Sequence, residues 1–173
     1  VMTYLADDVL SAFLIAAVFA WLVHSSVAAV LLFATLAAQG VLPVQAAVAL
    51  VLGANMGGAF IAFFLTLHSD VEVRRVILGN VLLRGGGAWI ALGLLYWFDA
   101  GTVLPGSDAQ QQTLSAHLAF NGSLLIIGLL LLEPSKRLVE ILLPERESTK
   151  SDTIRSLLDP TLQTQPTRAF ACA

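Results

Sequence analysis

Residues 10–39 read LSAFLIAAVFAWLVHSSVAAVLLFATLAAQ, an uncharged stretch interrupted by the polar triplet His24-Ser25-Ser26. As one straight helix it would measure about 45 Å, against about 30 Å for the hydrocarbon core of a bilayer. Split at the triplet, it becomes two arms of about 21 Å that pass the midplane without crossing. A re-entrant helical hairpin with its tip at Ser25-Ser26 fits that length. The alternative is a single long, tilted helix whose serines bond to its own backbone.

Outward from this stretch the chain stays uncharged. No Asp, Glu, Lys or Arg lies between Asp8 and Asp70, and only a bilayer accommodates so long a charge-free run. The second interruption is Gly53-Ala54-Asn55-Met56-Gly57-Gly58. Non-helical backbone at membrane depth must be buried in protein or line a wet cavity. Paired breaks in adjacent hydrophobic segments are the sequence pointer to a transporter site. The composition agrees: hydrophobic residues make up 57% and charged residues 12%, with a mean hydropathy of +0.83. The net charge of −3 sits in loops and tail, and no basic face exists for nucleic acid. The single cysteine, Cys172, permits neither an intrachain disulfide nor a metal cluster. The chain opens on Val1, already close to a hydrophobic segment, and reads as part of something longer.

These features predict an all-α, polytopic membrane bundle. A hairpin over 10–39 is followed by a turn at 40–43 and by spans over 44–67, 76–98 and 114–132. A surface helix over 134–143 alternates charged and apolar residues, and a hydrophilic connector begins at residue 144. The membrane part is 1–143 and the tail 144–173. Arg74 and Arg75 flank one loop, Lys136 and Arg137 follow the last span, and the loop 99–113 carries only Asp99 and Asp108. Positive-inside counting places the basic flanks and the tail in the cytoplasm and the loop 99–113 outside.

Four constellations carry the chemistry. At the hairpin tip, Ser25 and Ser26 hydroxyls and free N–H groups at a helix start can bind an oxyanion, while the carbonyls ending the other arm suit a sodium ion. Two serines in a membrane helix can equally bond to backbone or to a neighbouring helix. In the second break, the glycines permit an unwound turn with Asn55 as donor and acceptor. They would equally suit a tight helix crossing with Asn55 as interhelical glue. Arg84, beyond easy snorkelling reach, either neutralises an anion or holds helix ends together. His117 and Asn121, one turn apart near the outer end of the last span, point to one side and would cap or cross-link helices. His24 beside Ser25 lacks the geometry and third group of a nucleophile–base pair, so the chain is not read as an enzyme.

HSSVA, then GANMGG, RRVILGN and His117-x-x-Phe120-Asn121 together resemble the bacterial sodium/phosphate cotransporter family, related to the type II cotransporters of animals. That family carries Gln-Ser-Ser-Ser at a hairpin tip and Gly-(Ala/Thr)-Asn-(Ile/Val)-Gly-Thr in the next helix. Here His24 stands at the Gln position, Ser25 and Ser26 match the first two serines, and Val27 replaces the third. Gly53, Asn55 and Gly57 match the second motif, and Gly58 replaces its Thr. These departures resemble the second of two inverted repeats. In the tail, Leu157-Leu158-Asp159-Pro160 with Pro166 and Ala169 resembles the opening of a PhoU-like domain.

The resemblance implies a sodium-dependent phosphate symporter of the bacterial plasma membrane, working by alternating access between two repeats, of which this chain holds one. The missing repeat, or a second copy, would complete the site. Phosphate would be held by His24, Ser25, Ser26 and Asn55, and sodium by Ser25, Ser26, Gly53 and Asn55. Gly57, Gly58, Arg84, His117 and Asn121 would support them. No cofactor is implied beyond sodium as coupling ion. Hydroxyls and an amide do not by themselves select phosphate, so a carrier of another small anion, or a non-transporting regulatory membrane module, satisfies the residues as well.

Overall fold

In the computed structural model, residues 8–144 are described. Residues 8–143 belong to one compact unit, and the PhoU-like reading of the tail falls outside the described residues. Every regular element among the described residues is helical.

Asp8 starts the hairpin. Its carboxylate accepts from the backbone N–H groups of Leu10 and Ser11 and from the Ser11 hydroxyl. The Ser11 side chain and then its backbone hold the carboxyl below its ordinary value. Helix α1 runs Val9–Val23. His24 then takes the left-handed conformation, φ 56°. Its N–H and that of Ser25 return to the carbonyls of Trp21 and Ala20, at 3.2 and 3.3 Å, a helix stop of the Schellman type. Ser25 swings to extended backbone, and its Oγ accepts from Ala28 N at 3.1 Å, capping α2 (Ser26–Ala38). One residue ends the first arm and the next begins the second, so the single-long-helix alternative fails.

A turn with Gly40 at φ 69° leads into α3, Val44–Leu65. The sequence leaves an unwound turn and a tight crossing both open at residues 53–58, and the unwound turn is not what forms: α3 is helical throughout. The glycines serve the alternative, a tight crossing. A methyl added at Gly53 would overlap the Phe13 carbonyl oxygen, and one at Gly57 the Ala17 carbonyl oxygen. Successive turns of α3 thus lie directly on the backbone of α1. In a bilayer the helix keeps its own backbone bonds satisfied, and small residues let a neighbour approach to van der Waals contact. The matching order of the contacts makes α1 and α3 parallel. Gly58 meets Ser26 at the start of α2, and Phe33 of α2 packs on Phe19 of α1 with ring centroids 5.9 Å apart, so α2 folds back along α1 and the two form the hairpin.

Helix α4 covers Val71–Leu95, earlier than the expected 76–98, because Glu72, Arg74 and Arg75 enter its first turns rather than staying in a loop. A short helix α5, Ala100–Val103, lies in the connection that follows. Helix α6 covers Ala109–Leu130 rather than 114–132. Asp108 caps it by accepting from Gln111 N at 2.8 Å, which draws the glutamines into the helix. Three helices, α3, α4 and α6, are long and apolar enough to cross a membrane. Helix α7, Leu132–Leu142, is amphipathic, with Glu133, Lys136, Arg137 and Glu140 between apolar positions.

Gln45 ties the ends together. Its amide donates to Leu95 O at 2.6 Å and accepts from Ala100 N at 2.9 Å. At the opposite end Arg75 Nε donates to Leu143 O at 3.0 Å. The acidic loop and the start of α3 thus share one end of the bundle. Arg75 and the end of α7 share the other.

Candidate functional site

Helix lengths set the depth of each polar group. Asn55 lies eleven residues into α3 and Arg84 thirteen into α4. Asn121 lies twelve residues into α6. At 1.5 Å per residue each is about 14–20 Å from either end of its own helix. His117 lies eight residues and Asn121 twelve residues from the first residue of α6, which starts earlier than expected because the glutamines join it.

At this level the side chains meet. Asn55, fully buried, donates to Val51 O at 2.8 Å and lies 3.2 Å from His117 Nδ1. Asn121 donates to His117 O at 2.8 Å and to Asn55 Oδ1 at 3.2 Å, with His117 Nδ1 at 3.3 Å. Two amide nitrogens facing Nδ1 make that atom the acceptor and put the ring proton on Nε2. Arg84 Nη2 donates to Asn121 Oδ1 at 2.7 Å. The expectation that His117 and Asn121 cross-link helices holds, and Arg84 does join two helices. In hydrocarbon such a network has no water to compete with it, and leaving one member unpaired would cost about 1–3 kcal/mol.

The hairpin tip sits one turn further along α3. Ser26 lies against Gly58, where a Cβ would stand 2.9 Å from the Ser26 Cβ and 3.0 Å from its Oγ. The missing side chain at 58 is what admits Ser26. Ser25 and Ser26 are half-buried and His24 is exposed. His24 Nδ1 donates to Leu22 O at 3.0 Å. The tip presents the hydroxyls of Ser25 and Ser26 and the first N–H groups of α2, which have no intrahelical acceptor.

The predicted residues thus divide into two clusters converging on residues 55–58 of α3. His24, Ser25, Ser26 and Gly58 belong to the tip; Asn55, Arg84, His117 and Asn121 form the network. Gly53 and Gly57 face α1 instead. Gln45 is a structural residue the sequence reading missed; a lone glutamine after Pro43 signals nothing until its partners fifty residues away are placed. A groove of about 590 Å³ between α3, α4, α5 and α6 includes Leu52, Ile90, Phe120 and Leu124 in its lining, with Ser123 as its one polar side chain. It contains none of the predicted site residues.

A helical hairpin packed on three helices long and apolar enough to cross a membrane, with polar groups gathered midway along those helices, is consistent with a helical membrane bundle. The chain belongs to the Na+/Pi-cotransporter family, whose pattern it matches over residues 1–133. It is similar to the "Putative inorganic phosphate export protein YjbB" of Escherichia coli K12, 29% identical over 169 residues. That match takes in 98% of this chain and 31% of YjbB. The Salmonella typhimurium protein of the same description is 38% identical over 92 residues, 53% of this chain and 17% of that protein. The "Uncharacterized protein YqeW" of Bacillus subtilis is 28% identical over 140 residues, 72% of this chain and 45% of YqeW. The chain therefore spans less than half the length of these relatives. No solved structure gave a significant match.

Proposed function

We propose that the protein carrying this chain moves inorganic phosphate across the bacterial plasma membrane by sodium-coupled alternating access, with this chain supplying one of two repeats. The observation that supports it most is the hairpin tip seated on Gly58 within a turn of the polar network. Ser25 and Ser26 offer hydroxyl donors, and the start of α2 adds N–H groups and a positive dipole end to an oxyanion. His24 flanks them. Asn55, whose two amide hydrogens face Val51 O and His117, takes part by holding this turn of α3. Sodium would use the hydroxyl and carbonyl oxygens around Ser25, Ser26 and Gly53, lowering the cost of bringing the anion into the membrane. Its acidic loop faces outward and its basic end and tail inward. A partner repeat completes the chamber.

Labelled phosphate flux in proteoliposomes tests this. The expected result is uptake that needs a sodium gradient and is abolished by Ser26→Ala. Unchanged flux in that variant would refute the tip as the site. The description of the YjbB proteins as exporters favours a second reading, outward movement independent of sodium. Efflux from preloaded vesicles without sodium would select it.

A further inference from the structure

We propose that Arg84 is the positively charged ligand of the transported oxyanion, held in position by Asn121. This rests on the phosphate-transport reading and names the residue that supplies its countercharge.

The starting point is a charge in the wrong solvent. Arg84 stands at least about 16 Å from either end of α4, further than its side chain can snorkel. A guanidinium stays protonated there, and intramembrane charges are kept for function or paired. The acidic side chains among the described residues are Asp8, Asp70, Glu72, Asp99, Asp108, Glu133 and Glu140, all at helix ends, in loops or on α7. None of them is bonded to Arg84. Among the described residues its one hydrogen bond runs to a neutral amide oxygen, Asn121 Oδ1, which leaves four of its five N–H donors and its full charge uncommitted among them.

The donors around it are arranged differently. Asn55 faces Val51 O and His117 with its amide hydrogens, and Asn121 is engaged with His117 O and Asn55 Oδ1. Neither can turn a donor toward a ligand without breaking the network. The network instead works as a mount. Asn55 on α3 fixes Asn121 on α6, and Asn121 Oδ1 fixes one nitrogen of the guanidinium on α4. What the mount presents is a planar fork, the group best matched to two oxygens of a tetrahedral oxyanion. Arg84 is only half-buried, which leaves part of its side chain accessible to a ligand.

The test uses the full-length protein in proteoliposomes, with phosphate as the probe and melting in detergent as a control for folding. Arg84→Gln is expected to keep the melting temperature within a few degrees, to lose phosphate flux, and to lose the stabilisation that phosphate gives the wild type. Arg84→Lys keeps the charge and can still donate to Asn121 but loses the fork. Its KM for phosphate is expected to rise about tenfold with maximal rate largely kept. A folded Arg84→Gln protein with wild-type KM overturns the proposal, leaving Arg84 as helix glue or as the partner of a carboxylate elsewhere in the protein. If Arg84→Gln does not fold, an unchanged KM in Arg84→Lys overturns it equally. A wild type that neither moves nor is stabilised by phosphate would instead bring down the underlying reading and this proposal with it.

Discussion

Two seams hold α3 in the bundle, and they work by opposite means. Toward α1 the contact is glycine on carbonyl, with Gly53 and Gly57 replaced in space by the backbone of Phe13 and Ala17. Toward α4 and α6 it is a set of directed hydrogen bonds through Asn55, His117, Asn121 and Arg84. The first seam tolerates no added atom but needs no particular chemistry. The second depends on particular donors meeting particular acceptors, as Asn121 meets Asn55 Oδ1 and Arg84 meets Asn121 Oδ1. In lipid, where burial of apolar surface gives no drive to helix association, close packing and interhelical hydrogen bonds are the means left. This chain separates them onto two faces of one helix. The packed seam positions the hairpin, and the bonded seam positions a charge.

That contrast can be broken most severely on the packed side. Gly57→Val should displace α1 and destabilise the fold by about 3 kcal/mol or more, seen as loss of monodisperse protein in detergent. Gly86→Ala, the same kind of change where nothing is crowded, should leave the elution profile intact and stabilise α4 by about 0.5–1 kcal/mol. If both behave alike, steric exclusion is not what distinguishes the glycines.

On the bonded side, Asn55→Leu removes the acceptor of Asn121 and a donor to His117. Thermal melts should show a loss of about 1–3 kcal/mol, less than for Gly57→Val. Helix α3 should stay docked to α1, so cross-linking of a cysteine pair across that seam should persist. Gln45→Leu comes next. Its bonds to Leu95 O and Ala100 N go, at about 1–2 kcal/mol, and hydrogen exchange should quicken at the Ala100 amide while the mid-depth network keeps its protection.

The smallest effect is expected at the tip. His24→Gly relieves a left-handed conformation and should stabilise the hairpin by up to about 1 kcal/mol. A lower phosphate affinity in that more stable variant would show that the imidazole, and not only the turn it makes, serves the site. Unchanged affinity would make His24 a purely structural stop.

The hairpin was readable before any coordinates because it follows from two lengths, an uncharged stretch too long for one crossing and a bilayer of fixed thickness. The three spans and the amphipathic α7 follow from composition in the same way. Their ends were misplaced by several residues because capping decides helix starts. Asp108 reaching Gln111 N outweighs the polarity of the glutamines between them. GANMGG is the instructive case. Three glycines and an asparagine are compatible with an unwound turn and with a tight crossing, and the residues cannot choose between them. The choice depends on what lies opposite, and the carbonyls of Phe13 and Ala17 lie opposite.

The identities of the polar residues were likewise plain in the sequence, but not their grouping. Asn55, Arg84, His117 and Asn121 are spread over sixty-six positions, and nothing in their local patterns says that they share one depth. Depth is set by where each helix begins, and contact by how the helices pack; both are properties of the assembled chain. The sequence by itself therefore determined a family, a membrane, a hairpin and a list of polar groups, because these depend on local composition and motif order. Only the tertiary structure decided that α3 stays wound, that Asn55 faces inward into a network, and that Arg84, midway along α4, meets Asn121 and no acidic side chain among the described residues. Hydrogen bonding and steric exclusion act between residues far apart in the chain, so their outcome waits on the fold.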